Sequence, residues 1–352
     1  MMKPLSLLSA AAILALATGG APAAPPAPDL SEGAINAASF ADWQQRQATG
    51  EEAEAAAPQD GEAGAPEAKT SPDPFLIRLQ ILLDRAHASP GVIDGREGGN
   101  TDKAVRAFEE MRDLAADGEL NEELWEAISA DAAPVVKPYR LTREDVEGRY
   151  VPDLPSDYGA LAKLDWLGYR GPAEMLAERF HMDEDLLREL NPGADFDKEG
   201  TTILVADPGP EPTAKVARIV VDKSKGELIA YGEDDRIVLV DPATIGSDDT
   251  PSPSGTMKVK GSAHEPTYEY DPEKNFRQGK NDEELTLPPG PNGPVGTVWI
   301  DLSKPTYGIH GTPEPSQIDK TASHGCVRLT NWDAEALSRL VKPAETVVEF
   351  KG

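Results

Sequence analysis

Residues 307–312 read "YGIHGT", and residues 323–333 read "SHGCVRLTNWD". The second stretch contains Cys326, the only cysteine among the 352 residues of the chain. A thiol attacks a carbonyl carbon as its thiolate, so a reactive cysteine needs an imidazole nearby to take its proton. Two histidines, His310 and His324, lie in this short part of the chain. The two stretches therefore predict a cysteine nucleophile with a histidine base, and either histidine fits that role.

The residues around Cys326 also fit acyl chemistry. Gly325 lets the backbone approach a substrate closely, and its N–H together with the N–H of Cys326 predicts an oxyanion hole. If residues 326–329 are extended, Cys326 and Arg328 share one face. Val327 and Leu329 then point to the other side, into the core.

Two other interpretations of these residues are open. His310, His324 and Cys326 are candidate zinc ligands, but a fourth ligand is missing and the spacing matches no common metal-binding pattern. Cys326 also fits a small buried hydrophobe, which is the usual fate of a free cysteine. Composition alone favours the buried cysteine together with ordinary surface histidines.

The sequence around these motifs is typical of a β-rich domain. Residues 266–296 are rich in Pro, Gly and charge, and so long a stretch predicts either a disordered insertion or a lid that limits water access. Thr330 and Asp333 fit a capping box that opens a helix. Short apolar runs between turn residues predict strands at "ARIVVD" (217–222), "ELIAYG" (227–232), "RIVLVD" (236–241), "MKVKG" (257–261), "VWI" (298–300) and "TVVEF" (346–350).

Charge and length limit the class of protein. The chain has 34 basic and 62 acidic residues, for a formal net charge of -28. Such a surface repels phosphate backbones and anionic headgroups, so we expect no nucleic-acid partner. A length of 352 residues predicts two or three modules at about 150 residues each.

The N-terminus has the pattern of a secretory signal peptide. A basic start (1–3) precedes an apolar run (5–17) and the small-residue site "APA" (21–23). We expect cleavage after Ala23 and a periplasmic or secreted protein without stable membrane insertion. A membrane anchor is the alternative, but a spanning helix needs about 20 apolar residues. An exported chain with one cysteine forms no internal disulfide. The presence of a free thiol in an oxidising compartment therefore needs another explanation, such as a chemical role.

Three segments separate the signal peptide from the β-rich domain. Residues 24–72 predict a disordered, flexible tether, because their Ala, Glu, Pro and Gly bury too little apolar surface to offset chain entropy. Only residues 40–43 ("FADW") have side chains that could dock. Residues 73–130 have helical apolar spacing and predict a compact three-helix unit. Residues 139–207 predict two short helices followed by the strand "TTILVAD".

The motifs at 307–312 and 323–333 resemble the signature of the L,D-transpeptidase (YkuD-type) catalytic domain, and the resemblance extends over residues 215–351. It includes "IVVDKSKGELIAY", "TPSPSGTMKV" and "LPPGPNGPVGTVWI". A signature of this length is specific, unlike a lone catalytic pair. The resemblance implies a β-rich sandwich whose cysteine forms a thioester with the third residue of a peptidoglycan tetrapeptide stem and releases the terminal D-alanine.

The resemblance also implies a role for each matching residue. Cys326 is the nucleophile and His310 its base, with the Gly311 carbonyl orienting the imidazole. His324 and Gly325 flank the oxyanion hole. We expect His310 to lower the pKa of the thiol, and no cofactor or metal is implied. The implied substrate-binding residues are Ser323, Tyr307 and Arg328, the last of which would contact a stem carboxylate or brace the site.

Two other segments resemble wall-binding modules. Residues 73–130 resemble the small helical peptidoglycan-binding domain, through "LQILLDRAHASPGVIDG" and "TDKAVRAFEEMRDLAADGELNEELWEAI". Residues 139–207 resemble the second part of a LysM-type glycan-binding module, whose opening strand is not recognisable here. A structural spacer is the alternative for each segment. The predicted fold class is a multidomain α+β chain with a three-helix domain, a LysM-like α/β segment and a C-terminal mainly-β sandwich.

The implied function is peptidoglycan cross-linking or remodelling, which serves cell-wall biogenesis and cell shape. Its partners are tetrapeptide stems as donors and a second stem or a lipoprotein as acceptor, and carbapenems are the implied inhibitor class. One alternative is an L,D-carboxypeptidase or endopeptidase that passes the same thioester to water. Another is a non-catalytic wall-binding protein.

Overall fold

A computed structural model describes residues 28–49, 70–246, 252–274, 276–321 and 325–352. The predicted signal peptide (1–23) and residues 50–69 of the predicted tether lie outside the described residues. Ser323 and His324 lie outside them as well.

The described chain runs from a helical N-terminal region to a mainly-β C-terminal domain. None of the described helices is both long and apolar enough to cross a bilayer. The helices are α1 (Glu32–Ala37), α2 (Phe40–Thr49), α3 (Pro74–Arg85), α4 (Gly99–Met111), α5 (Glu122–Ile128), α6 (Arg143–Val146), α7 (Tyr158–Leu161), α8 (Pro172–Arg179), α9 (Glu184–Leu190) and α10 (Asn331–Leu340), with a 3-10 turn at Pro315–Gln317. The strands are β1 (Val136–Arg140), β2 (Thr202–Ala206), β3 (Arg218–Asp222), β4 (Glu227–Tyr231), β5 (Ile237–Pro242), β6 (Gly255–His264), β7 (Tyr268–Tyr270), β8 (Leu285–Leu287), β9 (Val298–Leu302), β10 (Gly308–His310), β11 (Val327–Arg328) and β12 (Val347–Lys351).

Part of the predicted tether is folded. Helices α1 and α2 lie within residues 24–72, where no structure was expected. Phe40 is buried, and Trp43 stacks on Phe75 of α3 with ring centroids 5.1 Å apart. The prediction of a flexible tether is therefore wrong for residues 28–49, because a few aromatic contacts with the three-helix unit hold two short helices that are too short to be stable alone.

The predicted three-helix unit consists of α3, α4 and α5. Asp73 caps α3 by accepting the N–H groups of Phe75 and Leu76. Asn121 caps α5 by accepting the N–H of Leu124 at 2.9 Å. Both caps satisfy N–H groups that have no partner within the first turn of a helix.

The middle module (residues 136–206) begins earlier than the sequence indicated. Strand β1 pairs antiparallel with β2, with Pro138 opposite Leu204, and the helices α6 to α9 lie between them in the chain. The predicted helices are confirmed as α8 and α9, and Asp183 caps α9. The predicted boundary at residue 139 is wrong, because it falls inside β1. This strand was missed because it contains a proline and only Val136 of its residues is buried.

The C-terminal domain is mainly β, as predicted. Eight of its ten described strands form one mixed sheet in the order β11-β10-β9-β6-β12-β3-β4-β5. The first half of β6 pairs with β12 and the second half with β9, with an irregularity between Val259 and Gly261. The sheet therefore curls as one continuous layer through β6. Helix α10 covers part of it, burying Leu337 and Leu340 in the same core as Ile309.

The long stretch before the motifs, here called the cap segment (residues 266–296), carries the β7–β8 hairpin. Tyr270 and Leu287 of this hairpin are buried against Leu161 and Leu167 of the middle module. The N–H of Leu167 also donates to the carbonyl of Pro289 at 2.9 Å. The alternative of a disordered insertion is wrong for the described part of the segment, because the middle module supplies an apolar surface for it.

The three-helix unit, the middle module and the C-terminal domain meet at a buried polar cluster. His181 Nδ1 lies 2.8 Å from Asp84 Oδ2, and the His181 ring stacks on Trp332 at 5.1 Å between centroids. Ser89 Oγ donates to Asp333 Oδ2 at 3.1 Å. Burial and the charge of Asp84 raise the pKa of Asp333 to about 7. Residues from all three parts therefore share one proton-binding network.

We expect this cluster to make stability depend on pH. Asp333 holds its proton more tightly in the folded protein than at its ordinary pKa of 3.8. Its contribution is therefore complete below about pH 4 and is lost as the pH rises to about 7. Between about pH 4 and pH 7, the thermal unfolding midpoint should fall more steeply in the wild type than in Asp333→Asn, which cannot ionise. Exposed Asp153→Asn is the matched control; parallel curves for wild type and Asp333→Asn would contradict the assignment.

Candidate active site

Strands β10 and β11 bring the two sequence motifs side by side. They pair in parallel, with Ile309 opposite Val327 and His310 opposite Arg328. Because side chains alternate along a strand, His310, Arg328 and Cys326 project from the same face, while Ile309 and Val327 are buried in the core.

A cavity of about 890 Å³ opens over this face. Tyr158 of α7 lines it and meets Tyr270 of the cap segment edge to face, with ring centroids 5.2 Å apart. The middle module and the cap segment therefore both contribute to the wall of the cavity. The predicted site residues that line it are His310, Cys326, Arg328 and Tyr307.

The buried imidazole of His310 is held on two sides. Its Nδ1 lies 2.7 Å from the carbonyl oxygen of Gly311, and its ring stacks on Trp299 at 5.5 Å between centroids. A carbonyl only accepts hydrogen bonds, so in the neutral ring Nδ1 carries the proton and Nε2 the free lone pair. Burial, helped by the charge of Arg328, lowers the pKa of His310 to about 4. At neutral pH the imidazole is therefore an uncharged base.

The thiol of Cys326 is half-buried and donates to the carbonyl of Thr306 at 3.6 Å. Burial raises the pKa of this thiol, although a hydrogen bond from the Gly308 backbone and the charge of Arg328 partly oppose the shift. The expectation that the thiol has a lowered pKa is therefore wrong, because burial outweighs the neighbouring charge. Thiol and imidazole are both neutral at rest, so the proton must move as the thiol attacks.

Ser252 holds the backbone next to the thiol and was not predicted from the sequence. Its Oγ donates to the Gly325 carbonyl at 2.8 Å and accepts the Gly246 N–H at 3.0 Å. Gly325 has φ +106°, a conformation that favours glycine. In a trans peptide the carbonyl and the following N–H point in opposite directions, so Ser252 also fixes the direction of the Cys326 N–H. The sequence showed only a turn at this serine.

Arg328 is fixed in the sheet through its backbone. Its N–H and carbonyl exchange hydrogen bonds with Thr244, both at 2.9 Å. Burial lowers the pKa of its guanidinium, and the groups that oppose this shift include Tyr158 and Glu314. A guanidinium remains charged even after such a shift, so the cavity holds a partly buried cation that favours an anionic group of a substrate.

The remaining predicted residues are only partly within the described chain. Gly311 and Gly325 lie in the backbone beside His310 and Cys326, as described above. His324 and Ser323 lie outside the described residues, so their roles stay predictions. The described residues contain no cluster of three or more metal-ligating side chains, and the zinc alternative depends on His324.

Family models match two segments of the chain. Residues 216–349 match the model described as "L,D-transpeptidase catalytic domain", and residues 73–128 match the model described as "Putative peptidoglycan binding domain". The resemblance of these two segments to an L,D-transpeptidase catalytic domain and to a putative peptidoglycan-binding domain is therefore confirmed.

Individual relatives have the same family name. The chain is 27% identical over 168 residues to "Putative L,D-transpeptidase YkuD" of Bacillus licheniformis, covering 48% of this chain and 87% of that protein. It is 31% identical over 189 residues to "Probable L,D-transpeptidase YbiS" of Escherichia coli K12, covering 52% of this chain and 61% of that protein. Among solved structures, L,D-transpeptidase 3 of Mycobacterium tuberculosis is 15% identical with a TM-score of 0.30, covering 45% of this chain and 77% of that one. The chain thus spans less than two thirds of YbiS.

The lowered pKa of His310 leads to a pH prediction. Protonation removes the Nε2 lone pair, and with a pKa of about 4 this happens only in acid. We expect the rate at which a carbapenem acylates Cys326 to show no loss from pH 7.5 down to pH 5.5. His310→Ala should react about 10²-fold or more slowly across this range. Mass spectrometry of the acylated protein measures both rates. An inflection near pH 6.5 that His310→Ala abolishes would show an ordinary histidine instead.

Proposed function

We propose that this protein is an L,D-transpeptidase in which Cys326 attacks the carbonyl of the third residue of a peptidoglycan tetrapeptide stem. The observation that carries the proposal is the common face of β10 and β11, from which Cys326 and His310 line the same cavity in a domain that matches the family. Both groups are neutral there, as general base catalysis by His310 requires.

The acylation step follows from this geometry. His310 Nε2 takes the thiol proton while Sγ bonds to the stem carbonyl carbon, and the carbonyl electron pair moves to oxygen. The N–H groups of Cys326 and Gly325 stabilise this oxyanion. The Gly311 carbonyl, 2.7 Å from Nδ1, stabilises the imidazolium that forms. When the oxyanion collapses, the bond to D-alanine breaks, and the imidazolium returns its proton to the leaving amine.

The second step transfers the acyl group. An acceptor amine gives its proton to His310 Nε2 and attacks the thioester carbonyl carbon. The C–S bond then breaks, and the imidazolium returns the proton to the Cys326 thiolate, which restores the neutral pair. Tyr158 and Tyr270 line the same cavity as the thiol, and an aromatic wall of this kind would limit the access of water and so favour amine acceptors over hydrolysis. The acceptor is an amine of a second stem or a lipoprotein. Water as acceptor would make the protein a carboxypeptidase or endopeptidase.

Other features fit a cell-wall substrate. The partly buried cation of Arg328 suits a carboxylate of the stem. The peptidoglycan-binding domain (residues 73–128) would hold the enzyme on its substrate. A cleaved signal peptide (residues 1–23) would bring it to the periplasm or the cell exterior, where peptidoglycan lies.

Product analysis tests the proposed function. Mature protein incubated with defined disaccharide tetrapeptides should release D-alanine and form a cross-linked dimer, both detected by mass spectrometry. Cys326→Ala should lower both by about 10³-fold or more, because no other group can form the thioester. Trimmed monomers without dimers would indicate the carboxypeptidase alternative. Dimer formation by Cys326→Ala would contradict the cysteine mechanism.

The role of Ser252 gives a second test. Ser252→Ala frees the Gly325 carbonyl and so loosens the Cys326 N–H, which is one oxyanion donor. We expect acyl transfer to fall by about 10²-fold, while simple alkylation of the thiol by iodoacetamide, which needs no oxyanion hole, stays near the wild-type rate. Exposed Ser254→Ala, in the same segment, is the matched control. Equal losses in transfer and alkylation would point to a general disturbance of the site.

A further inference from the structure

A buried carboxyl group of the middle module reaches the catalytic domain at the start of α10. Glu178, near the end of α8, is buried, and so is Asn331, the first residue of α10. Asn331 Nδ2 donates to Glu178 Oε2 at 2.9 Å, and the hydroxyl of Tyr169 donates to the same oxygen at 3.3 Å. The contact therefore joins two segments about 150 residues apart in the chain.

The amide of Asn331 has a fixed orientation. Besides Glu178, its Nδ2 donates to the carbonyl of Pro291 in the cap segment at 3.2 Å. Its Oδ1 accepts the N–H of Thr297 at 3.2 Å. A flipped amide would place donor against donor at Thr297 and acceptor against acceptor at the other two contacts. Asn331 thus links the middle module, the cap segment and the segment that leads into β9.

Asn331 also packs directly on the backbone that orients His310. A Cβ atom added at Gly311 would collide with Asn331 Oδ1, and one added at Gly296 would collide with the same atom. The carbonyl of Gly311 is the acceptor for His310 Nδ1. The residue that carries this carbonyl is therefore packed against an amide that Glu178 holds in place.

Glu178 is suited to this contact as an uncharged acceptor. Burial, with the nearby carboxyl groups of Glu174 and Glu335, raises the pKa of Glu178 to about 8. At neutral pH the group is mostly the protonated acid, whose carbonyl oxygen can accept from both Asn331 and Tyr169 without burying a charge.

We propose that Asn331 and Glu178 are positioning residues for His310, which makes the middle module an integral part of the active site. Neither residue lines the cavity; they act by fixing the Gly311 carbonyl, which keeps the proton on Nδ1 and the lone pair on Nε2. The inference rests on the proposed function only for its effect on turnover, because the state of the imidazole can be measured without any substrate.

The experiment uses the full mature chain with ¹⁵N-labelled histidine. Long-range ¹H–¹⁵N spectra report the tautomer and pKa of each of the five histidines, and His310→Ala assigns the signal of His310. The variants are Glu178→Leu, which removes the acceptor, Glu178→Gln, which keeps a neutral acceptor, and Asn331→Ala. Glu184→Gln is the matched control, because this carboxylate of the same module is half-buried and bonds only to Arg188 among the described residues. Circular dichroism checks that each variant is folded, and if Glu178→Leu does not fold, Asn331→Ala carries the test.

We expect Glu178→Leu and Asn331→Ala to show a mixture of His310 tautomers. The pKa of His310 should move further down, because the Gly311 carbonyl that favours the charged ring is displaced. Their kcat on tetrapeptide stems should fall by about 10²-fold with KM nearly unchanged. Glu178→Gln should restore the single tautomer and most of kcat. A folded Glu178→Leu or Asn331→Ala with an unchanged His310 signal overturns the proposal. Wild-type protein that shows the single tautomer but no turnover would instead disprove the proposed function and leave the positioning role intact.

Discussion

The parallel pairing of β10 with β11 is the interaction on which the site depends. It sets His310 opposite Arg328, and the alternation of the strand then directs Cys326 to the same face. A shift of β11 by one residue in this register would send Cys326 and Arg328 into the core and Val327 into the cavity. The register is held by the apolar side chains of the opposite face, such as Ile309 and Val327, which are fully buried. The packing that buries these apolar side chains therefore also places the side chains that line the cavity.

The three parts of the chain are joined by polar contacts that converge on α10. Its first residue, Asn331, contacts the middle module, and its third, Asp333, contacts the three-helix unit through Ser89. This helix directly follows the strand that presents Cys326. The three parts of the chain therefore pack on one another, and their arrangement affects the geometry of the site. The cap segment extends this coupling, because it packs on the middle module while it lines the cavity.

Local signals in the sequence were sufficient for most of the catalytic domain and not for its surroundings. Six strands of the sheet were predictable from short apolar runs between turn residues, and Thr330 marked the start of α10 by capping. Helices α1 and α2 could not be predicted, because they depend on a contact between Trp43 and Phe75 that no local pattern specifies. Ser252 and Glu178 were missed for the same reason, since their partners lie 73 and 153 residues away in the sequence. Motif resemblance supplied what local patterns could not, namely the choice of His310 over His324 as the proposed base.

The buried, uncharged state of the thiol has a consequence for its survival. Peroxides oxidise thiolates far more readily than thiols, and the resulting sulfinic and sulfonic acids are not reduced back by ordinary thiol exchange. Burial raises the pKa of Cys326 and so keeps the thiolate scarce until a carbonyl group arrives for it to attack. Because this is the only sulfhydryl in the chain, no resolving cysteine could rescue it by forming an internal disulfide. In the proposed mechanism, the same burial that makes the sulfur dependent on His310 for reactivity would therefore protect it from oxidative damage between turnovers.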